Sequence, residues 1–214
     1  WESVVLPGDQ WDYLVPSSQP SSSWNQLGYN SSSWSTGNSG FGYGDGDDAT
    51  IVSNTISIYI RKTFSITNLS DIEAIILDLD YDDGFVAYLN GQEVARNLIS
   101  GSIPNFNQTS DGYHEALLPQ GYAPERFGID VNLLNPGTNV LAVQVHNQSF
   151  DSSDLSALPV FSVGINNTSS NYETPPSWFE VPYIPAEVNF ESSNLPIVVI
   201  DTFEGQEIPN DPKI

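Results

Sequence analysis

The feature that most constrains this chain is an alternation of apolar and polar side chains over residues 56–66. One set of alternate positions carries Ile56, Ile58, Ile60, Phe64 and Ile66. Lys62 is the one polar residue in that set. Successive side chains of a β-strand point to opposite faces of its sheet, so the pattern predicts a strand with one buried face. The alternation recurs over Ala74–Tyr81, where Asp78 and Asp80 share the polar side.

A β-hairpin is predicted where Asn90-Gly91 separates the β-prone runs Phe85–Leu89 and Gln92–Arg96. Asn-Gly suits a type I′ turn, because that turn needs positive φ at both central residues. Further strands are predicted at Thr138–His146 and Val160–Ile165. No segment shows a sustained period of 3.6 residues. Many short strands separated by Gly, Pro and Asn therefore predict an all-β, antiparallel jelly-roll β-sandwich.

Charge and composition exclude several classes of partner. The chain has 214 residues with 27 acidic and 5 basic side chains, a formal net charge of −22. Nucleic acids and anionic membrane surfaces need clustered Lys and Arg, so neither is an expected partner. Membrane insertion is not expected either, because no apolar run approaches the roughly 20 residues of a spanning helix. There is no cysteine, and the Lys-poor, Asn- and Ser-rich composition fits a bacterial secreted or cell-surface protein.

Three regions are predicted along the chain. Residues 1–165 form the jelly-roll module. Residues 166–185 form a Pro-rich linker, in which Trp178 and Phe179 are candidates for docking a neighbouring domain. Residues 186–214 are a short C-terminal β extension or the start of a following domain, because so few residues cannot fold alone.

Several motifs resemble a known family. The segments Tyr81–Arg96 and Gly137–Asn147, the following Ser152-Ser153-Asp154 and the loop Gly42–Asp48 resemble the galactose-binding-like jelly-roll modules of large secreted bacterial proteins. The segment Ser193–Ile214 resembles the region that follows such modules in Bacteroidota surface proteins, ahead of spore-coat-H-like domains. The resemblance implies an accessory module that is not itself catalytic.

The loop Asp45-Gly46-Asp47-Asp48 is the candidate metal site, with Asp45, Asp47 and Asp48 as ligands. A tight loop of carboxylates offers the hard oxygens that Ca²⁺ prefers. The resemblance points the same way, since jelly-roll modules of this family often hold a structural calcium. The alternative is a solvated acidic turn. Asp82-Asp83 is a candidate for a second calcium site, but a structural turn is favoured, because adjacent strand residues point to opposite faces and both cannot easily bind one ion.

Aromatic side chains in two predicted loops are the candidate ligand-binding residues. The first loop, Ser17–Gly46, carries Trp24, Tyr29, Trp34 and Tyr43. The second loop, Leu98–Phe127, carries Tyr122 and Arg126. Exposed aromatic rings can stack on the C–H groups of sugars, while neighbouring polar groups bind the hydroxyls. The alternative is that these rings fill the ends of the sandwich core, since Trp is highly buried on average.

The sequence thus predicts a non-catalytic, calcium-stabilised carbohydrate-binding module that targets a larger protein to a polysaccharide. Its expected partners are a polysaccharide or glycan and the neighbouring domains of the same polypeptide. The alternative is a structural, adhesion or protein-interaction spacer. A glycoside hydrolase or esterase is a third hypothesis, for which no local motif nominates a carboxylate pair or a nucleophile. His146 lies near Asp151 and Asp154 and is interpreted as a satisfied strand-end histidine.

Overall fold

The computed structural model describes residues 1–44, 46, 48–166 and 171–182. The chain divides into two units, Trp1–Glu180 and Val181–Ile214. The strands of the first unit are β1 (Glu2–Val5), β2 (Gln10–Leu14), β3 (Ser35–Asn38), β4 (Phe41–Tyr43), β5 (Thr50–Ile51), β6 (Ser57–Ile66), β7 (Ile72–Asp82), β8 (Gly84–Leu89), β9 (Gln92–Asn97), β10 (Glu125–Ile129), β11 (Gly137–His146) and β12 (Leu155–Ile165). The helical elements of the described residues are the 3₁₀ turns Leu69–Asp71, Leu118–Gln120 and Val131–Leu133.

The strands form two sheets. The first sheet has the order β10-β7-β12-β4-β5, with β1 also paired to β12, and the second has the order β3-β2-β6-β11-β8-β9. Every pairing is antiparallel except the short parallel contact of β4 with β5. The predicted all-β, antiparallel sandwich is confirmed. No helix of the described residues is long and apolar enough to cross a membrane.

The main core lies between the sheets and is built by the predicted alternation. The β6 side chains that enter it are Ile58, Ile60, Phe64 and Ile66, and the β7 side chains are Ile75, Leu77, Leu79 and Tyr81. Lys62 shares the parity of the β6 set, but its ammonium group donates to the carbonyl of Gln10 and lies 3.5 Å from Asp9. The interruption in the pattern therefore leaves no buried charge unpaired.

The predicted hairpin is confirmed with its turn type. Asn90 has φ of 54° and Gly91 has φ of 85°, and they join β8 to β9. The amide of Asn90 also donates to the carbonyl of Leu133 and accepts from the backbone N–H of Val140, each at 2.9 Å. A side chain that suits positive φ thus also ties the turn to β11.

The outer face of the second sheet is covered by residues 19–34, called here the cover loop. Its rings pack on this face in a second cluster made of Trp24, Trp34, Tyr59, Val86, Tyr88, Ile99 and Ala142. Arg61, on β6, holds the loop from below. Its guanidinium donates to the carbonyls of Trp24 and Gln26 at 3.1 Å. Because Arg61 is only 4% exposed, these bonds replace the water that its charge has lost.

The outer face of the first sheet carries three buried carboxylates of β7, at Asp78, Asp80 and Asp82. Arg126 of β10 binds Asp78 through two hydrogen bonds of 2.7 and 3.1 Å. Asp80 accepts from the backbone N–H groups of Leu117 and Leu118. Burial raises the pKa of Asp78, although Arg126 opposes the shift.

Asp83 supports the predicted structural role of the Asp82-Asp83 turn. Its two carboxylate oxygens accept from the backbone N–H groups of His114 at 3.0 Å and Gln148 at 2.7 Å. The carboxylates of β7 and of the turn that follows therefore hold the connections over this end of the sandwich in place.

Part of the predicted linker packs on the sandwich. Glu173 forms an antiparallel bridge with Ser3, and the ring of Phe179 lies 6.0 Å from that of Trp1. Arg126 lies over the ring of Phe179, 4.5 Å from its centre. Phe179, a candidate for docking a neighbouring domain, thus contacts the first unit itself. The limits 1–165, 166–185 and 186–214 stay a prediction, and the C-terminal extension lies outside the described residues.

Arg126→Leu is expected to lower the free energy of unfolding by about 3 kcal/mol, because it leaves the Asp78 carboxylate buried without its counter-ion. Urea denaturation at neutral pH measures the change. Lys62→Met is the control, since its partner Asp9 is partly exposed and a surface pair contributes less than about 1 kcal/mol. Equal losses in the two variants would contradict the structural importance of the buried pair.

Candidate functional site

A cleft of about 280 Å³ opens on the outer face of the second sheet, between the cover loop and residues 102–104. Its lining residues are Gln19, Pro20, Ser22, Trp24, Asn25, Gln26, Tyr88, Gly91, Ser102, Ile103, Pro104 and Gln144. They come from the cover loop, the hairpin, β11 and the segment after β9. The sheet provides a floor and the two loops provide walls, so the cleft is a product of the tertiary fold.

The floor of the cleft is a pair of polar side chains on neighbouring strands. Tyr88 of β8 lies opposite Ala142 of β11, which places Gln144 diagonally beside it on the same face. Gln144 Nε2 donates to the Tyr88 hydroxyl at 3.1 Å. Burial raises the pKa of Tyr88, and the nearby Glu93 carboxylate adds to the shift. The phenol therefore keeps its proton at neutral pH, and its O–H group can donate a hydrogen bond to a ligand.

Trp24 forms one wall of the cleft, but it does not offer the flat face that a sugar-stacking ring needs. It stacks on Trp34 with ring centres 6.2 Å apart, and it meets Tyr59 and Tyr88 edge-to-face at 4.8 and 5.6 Å. Only 5% of the residue is exposed. The apolar outer face of the second sheet must be covered, and this ring covers it.

Amide side chains make up much of the rest of the lining. Gln19 joins the two walls, because its Oε1 accepts from the backbone N–H of Phe106 at 2.7 Å. The side-chain amides of Asn25 and Gln26 make no hydrogen bond with other described residues. The cleft thus combines fixed walls with amide groups that are available to a ligand.

The other aromatic rings predicted in the first loop lie within the packing. Tyr29 contacts Trp34 edge-to-face at 5.8 Å and lies 5.6 Å from the Arg61 guanidinium. Trp34 is 9% exposed and Tyr43 is 7% exposed. The Tyr43 hydroxyl accepts from Asn147 at 2.8 Å. These three rings do not line the cleft, so among the predicted rings the structure brings only Trp24 to it.

Tyr122 and Arg126 lie on the side of the first sheet, away from the cleft. Tyr122 is 65% exposed. The guanidinium of Arg126 is engaged by Asp78 and by the carbonyl of Glu180. Arg126 therefore serves the packing of the segment 171–180 in this structure, whereas the ring of Tyr122 is open to solvent.

A second cavity, of about 210 Å³, is lined by Asp82, Glu115, Ala116, Pro119, Gln120 and Asp154. One carboxylate oxygen from each of Asp82, Glu115 and Asp154 lies within 4.8 Å of the others. Two oxygens bound to one Ca²⁺ at about 2.4 Å lie at most about 4.8 Å apart, so this acidic group could hold a metal ion. Its members come from separate segments, so no local sequence motif marks it.

The predicted metal ligands Asp45 and Asp47 lie outside the described residues. Asp48 is half-buried, and its carboxylate packs against Gly42 of β4. The contact is so close that a side chain at position 42 would place its Cβ 2.5 Å from Asp48 Oδ1. Asp48 is not part of the acidic group of the second cavity. The assignment of calcium to Asp45, Asp47 and Asp48 stays a prediction.

His146 ends β11 in a fully buried position. Its Nδ1 lies 2.8 Å from the carbonyl of Gln108 and donates to it, while Nε2 has no hydrogen-bond partner among the described residues. The interpretation of a satisfied histidine is therefore wrong for one of its two nitrogens. Burial lowers the pKa of His146 to about 4, so the ring is neutral at physiological pH.

Comparisons with known proteins find similarity only to solved structures. No family model matches the chain. No curated protein matches it either. A calcium-binding mutant of Bacteroides uniformis beta-glucuronidase 2 matches with 16% identity and a TM-score of 0.46, over 72% of this chain and 17% of that one.

Two other solved structures give a similar result. A beta-glycosidase from Bacteroides vulgatus matches with 14% identity and a TM-score of 0.47, over 74% of this chain and 20% of that one. A beta-glucuronidase of an uncultured Clostridium sp. matches with 17% identity and a TM-score of 0.46, over 72% of this chain and 27% of that one. The chain spans less than a third of each of these proteins. Similarity at this level does not assign a function to the chain.

The neutral, buried His146 predicts a loss of stability in acid. The unfolded chain takes up a proton near pH 6.5, while the folded chain does so only near pH 4. The unfolded state therefore binds more protons between these values, and stability falls as the pH is lowered through this window. Between pH 7 and pH 4, the wild type should lose about 3 kcal/mol more free energy of unfolding than His146→Gln.

Urea denaturation at several pH values measures this difference. His114→Gln is the control, because it removes the other histidine of the chain and should keep the acid-dependent loss of the wild type. Parallel pH profiles for the wild type and His146→Gln would show that His146 is not buried in its neutral form.

Proposed function

We propose that the chain is a non-catalytic accessory module that binds a polysaccharide segment in the cleft over the second sheet. It would belong to a larger secreted or cell-surface bacterial protein and would hold that protein on its polysaccharide. The observation that carries the proposal is the cleft itself, where a phenol, an indole and amide side chains surround one concave space.

The chemistry of the lining suits a sugar. Each sugar hydroxyl can donate one hydrogen bond and accept others, so a binding site needs donors and acceptors side by side. Tyr88 provides a hydroxyl, while Asn25 and Gln26 each provide an amide with both functions. Ile103, which is 76% exposed at the rim, and the indole of Trp24 offer apolar surface to the C–H groups of a sugar ring.

The walls of the cleft are held before any ligand arrives. Arg61 bonds the carbonyls of Trp24 and Gln26 from beneath the cover loop. Gln19 bonds the opposite wall through the backbone N–H of Phe106. A binding site ordered in advance loses less conformational entropy when it binds, which favours recognition of a weakly interacting, neutral surface.

Calcium remains part of the proposal as a structural ion. The acidic group of the second cavity offers carboxylate oxygens, which are the ligand type that Ca²⁺ prefers. A divalent cation would also relieve the repulsion among Asp82, Glu115 and Asp154. The alternative position is the predicted site at Asp45, Asp47 and Asp48.

Two alternatives to carbohydrate binding are tested by the same experiments. A spacer or protein-interaction module would bind no polysaccharide. A glycoside hydrolase or esterase would turn over substrate, and the carboxylates of the second cavity are the residues to test, because glycoside hydrolases use a pair of carboxylates. Tyr122, exposed on the side of the first sheet, is proposed as a secondary contact to a polymer.

Gln26→Ala is expected to weaken polysaccharide binding about three- to tenfold, because one neutral hydrogen bond is lost. Affinity electrophoresis against a panel of plant and microbial polysaccharides identifies the retained polymer, and isothermal titration calorimetry measures the change. Gln92→Ala is the matched control, because Gln92 is an exposed glutamine at the start of β9 that does not line the cleft. The proposal fails if the wild type is retained by no polymer, or if both variants weaken binding equally.

EDTA is expected to lower the melting temperature of the wild type by about 5 °C, because removal of a bound ion removes its binding free energy from the folded state. Glu115→Gln should melt at the same temperature with and without EDTA. Glu73→Gln is the control and should keep the shift, because Glu73 lies at the opposite end of β7. Calcium titration of the EDTA-treated protein should restore the wild-type value.

Other results would change the proposal, each in a different way. A shift that persists in Glu115→Gln would place the ion elsewhere, with Asp45, Asp47 and Asp48 as the next candidates. No shift in the wild type would remove calcium from the proposal. Hydrolysis of aryl glycosides or esters by the wild type, lost in Glu115→Gln, would replace the binding module with an enzyme.

A further inference from the structure

Among the residues that the structure describes, none that lines the cleft has a charged side chain. The polar members of the lining are amides and hydroxyls, namely Gln19, Ser22, Asn25, Gln26, Tyr88, Ser102 and Gln144. Proteins usually bind carboxylates, sulfates and phosphates with Arg, Lys or helix N-termini. The described residues contain no α-helix, and the lining includes no Arg or Lys. A charged sugar would find no counter-charge here.

We propose, on the basis of the function proposed above, that the cleft binds a neutral glycan segment and rejects one that carries carboxylate or sulfate groups. The ligand class is a polymer whose recognised sugars offer only hydroxyls, ether oxygens and C–H surface. Uronic-acid and sulfated polymers, which are common among secreted polysaccharides, are excluded from the site.

In the part of the chain that the structure describes, each Lys and Arg side chain is bonded to other groups of the protein, and none of them lines the cleft. The sequence has 5 Lys and Arg residues, of which Arg61, Lys62, Arg96 and Arg126 lie in the described part. Lys62 lies on β6 and does not line the cleft. Its ammonium group donates to the carbonyl of Gln10 and lies beside the Asp9 carboxylate. Arg126 pairs with the buried Asp78 on the other sheet.

Arg61 lies beneath the cover loop, and its donors are used. Its Nε and Nη2 donate to loop carbonyls, and its Nη1 donates to Ser31 Oγ at 2.8 Å. The same hydroxyl donates to Asp12, whose carboxylate lies 3.8 Å from the guanidinium. The positive charge is thus already shared with an acidic side chain, and with 4% exposure it does not meet a ligand directly.

Arg96 belongs to β9, the strand next to Tyr88. It forms two hydrogen bonds with Glu93, of 2.6 and 2.7 Å, in a bidentate ion pair. Its Nη1 donates to the carbonyls of Ile99 and Gly101. These bonds occupy four of the five N–H donors of a guanidinium. Arg96 is therefore neutralised by Glu93 and committed to the segment that follows its own strand.

The net charge of the whole chain also disfavours an anionic ligand. The formal net charge of −22 repels an anionic polymer before it reaches the cleft. Inside the cleft, a carboxylate would lose water and gain only amide and hydroxyl donors. Gln144 uses one N–H of its Nε2 for Tyr88, and its Oε1 is an acceptor that opposes an anion. Neutral hydroxyls can use that acceptor, whereas ionised groups cannot.

The test uses the full chain and a polymer before and after its primary hydroxyls are converted to carboxylates, with the methyl ester of the product as the uncharged control. A panel of neutral hexose polymers and natural acidic polysaccharides is screened first. The retained neutral polymer is then compared with the same polymer after selective oxidation of its primary hydroxyls to carboxylates. Calorimetry at low salt should show at least about tenfold weaker binding of the oxidised form. Methyl esterification of its carboxylates should restore binding, because it removes the charge.

A charge variant locates the effect in the cleft. Gln26→Lys should recover binding of the oxidised polymer about tenfold at low salt, and high salt should reduce the gain. Gln92→Lys changes the net charge equally but lies outside the lining, so it should recover much less. Equal recovery in both variants, or a loss that esterification does not reverse, would overturn the inference.

The remaining outcomes separate the inference from the proposed function. Retention of acidic polymers in preference to neutral ones would overturn the neutral-ligand inference and leave a carbohydrate-binding module. Retention by no polymer at all would overturn the proposed function, and the inference would fall with it.

Discussion

The arrangement of the site depends on one buried cation. Arg61 extends from β6 on the outer face of the second sheet, where a guanidinium away from water must have its donors satisfied. The carbonyls of Trp24 and Gln26 and the hydroxyl of Ser31 satisfy them. Since all three groups belong to the cover loop, satisfying the charge also fixes the loop, and with it the wall of the cleft.

On each sheet, charged side chains fix the segment that covers the outer face, but the sign of the charge differs between the sheets. On the second sheet a cation binds the carbonyls of a covering loop. On the first sheet the carboxylates of Asp80 and Asp83 bind backbone N–H groups of the segments above them. In both cases an ionised side chain on the sandwich organises an irregular segment that has no strand pairing of its own. The outer faces are therefore packed surfaces, and the cleft and the second cavity lie where this cover is incomplete.

The positions of the charged side chains explain why the two cavities have different linings. The cations in the described part of the chain serve internal contacts, so neither cavity is lined by Lys or Arg. One cavity gathers carboxylates and suits a hard metal ion. The other gathers amides and hydroxyls and suits an uncharged polar ligand. A very acidic protein can in this way keep a cavity lined by uncharged polar groups, because its acidic residues are placed elsewhere.

Much of the fold could be predicted from local patterns. The predicted strand is confirmed as β6 with its apolar set from Ile58 to Ile66 in the core, and the Asn90-Gly91 turn has the expected positive φ at both residues. These predictions succeed because side-chain periodicity and turn sterics act within a few residues. The expectation of a single buried face is wrong, because Tyr59 and Arg61 on the other face are buried as well. The predicted loops wrongly include β3, β4 and part of β10, and no strand is predicted at β5. So few residues show no period, and their pairing depends on distant partners.

The site itself could be predicted only in part. The sequence pointed to Trp24 and to the loop that carries it, but not to its burial or to Tyr88 and Gln144 as the floor. Whether a ring covers a sheet or faces a ligand depends on the surface beneath it, and Tyr59, Val86 and Ala142 make that surface apolar.

The sequence by itself determined the sandwich class, the hairpin and the scarcity of cations, because each follows from composition or from neighbouring residues. Tertiary structure decided which polar groups share a cavity. Gln26, Tyr88 and Gln144 meet only because strand pairing brings β8 beside β11 and Arg61 holds the cover loop above them. Asp82, Glu115 and Asp154 likewise converge from three segments that no short-range rule connects.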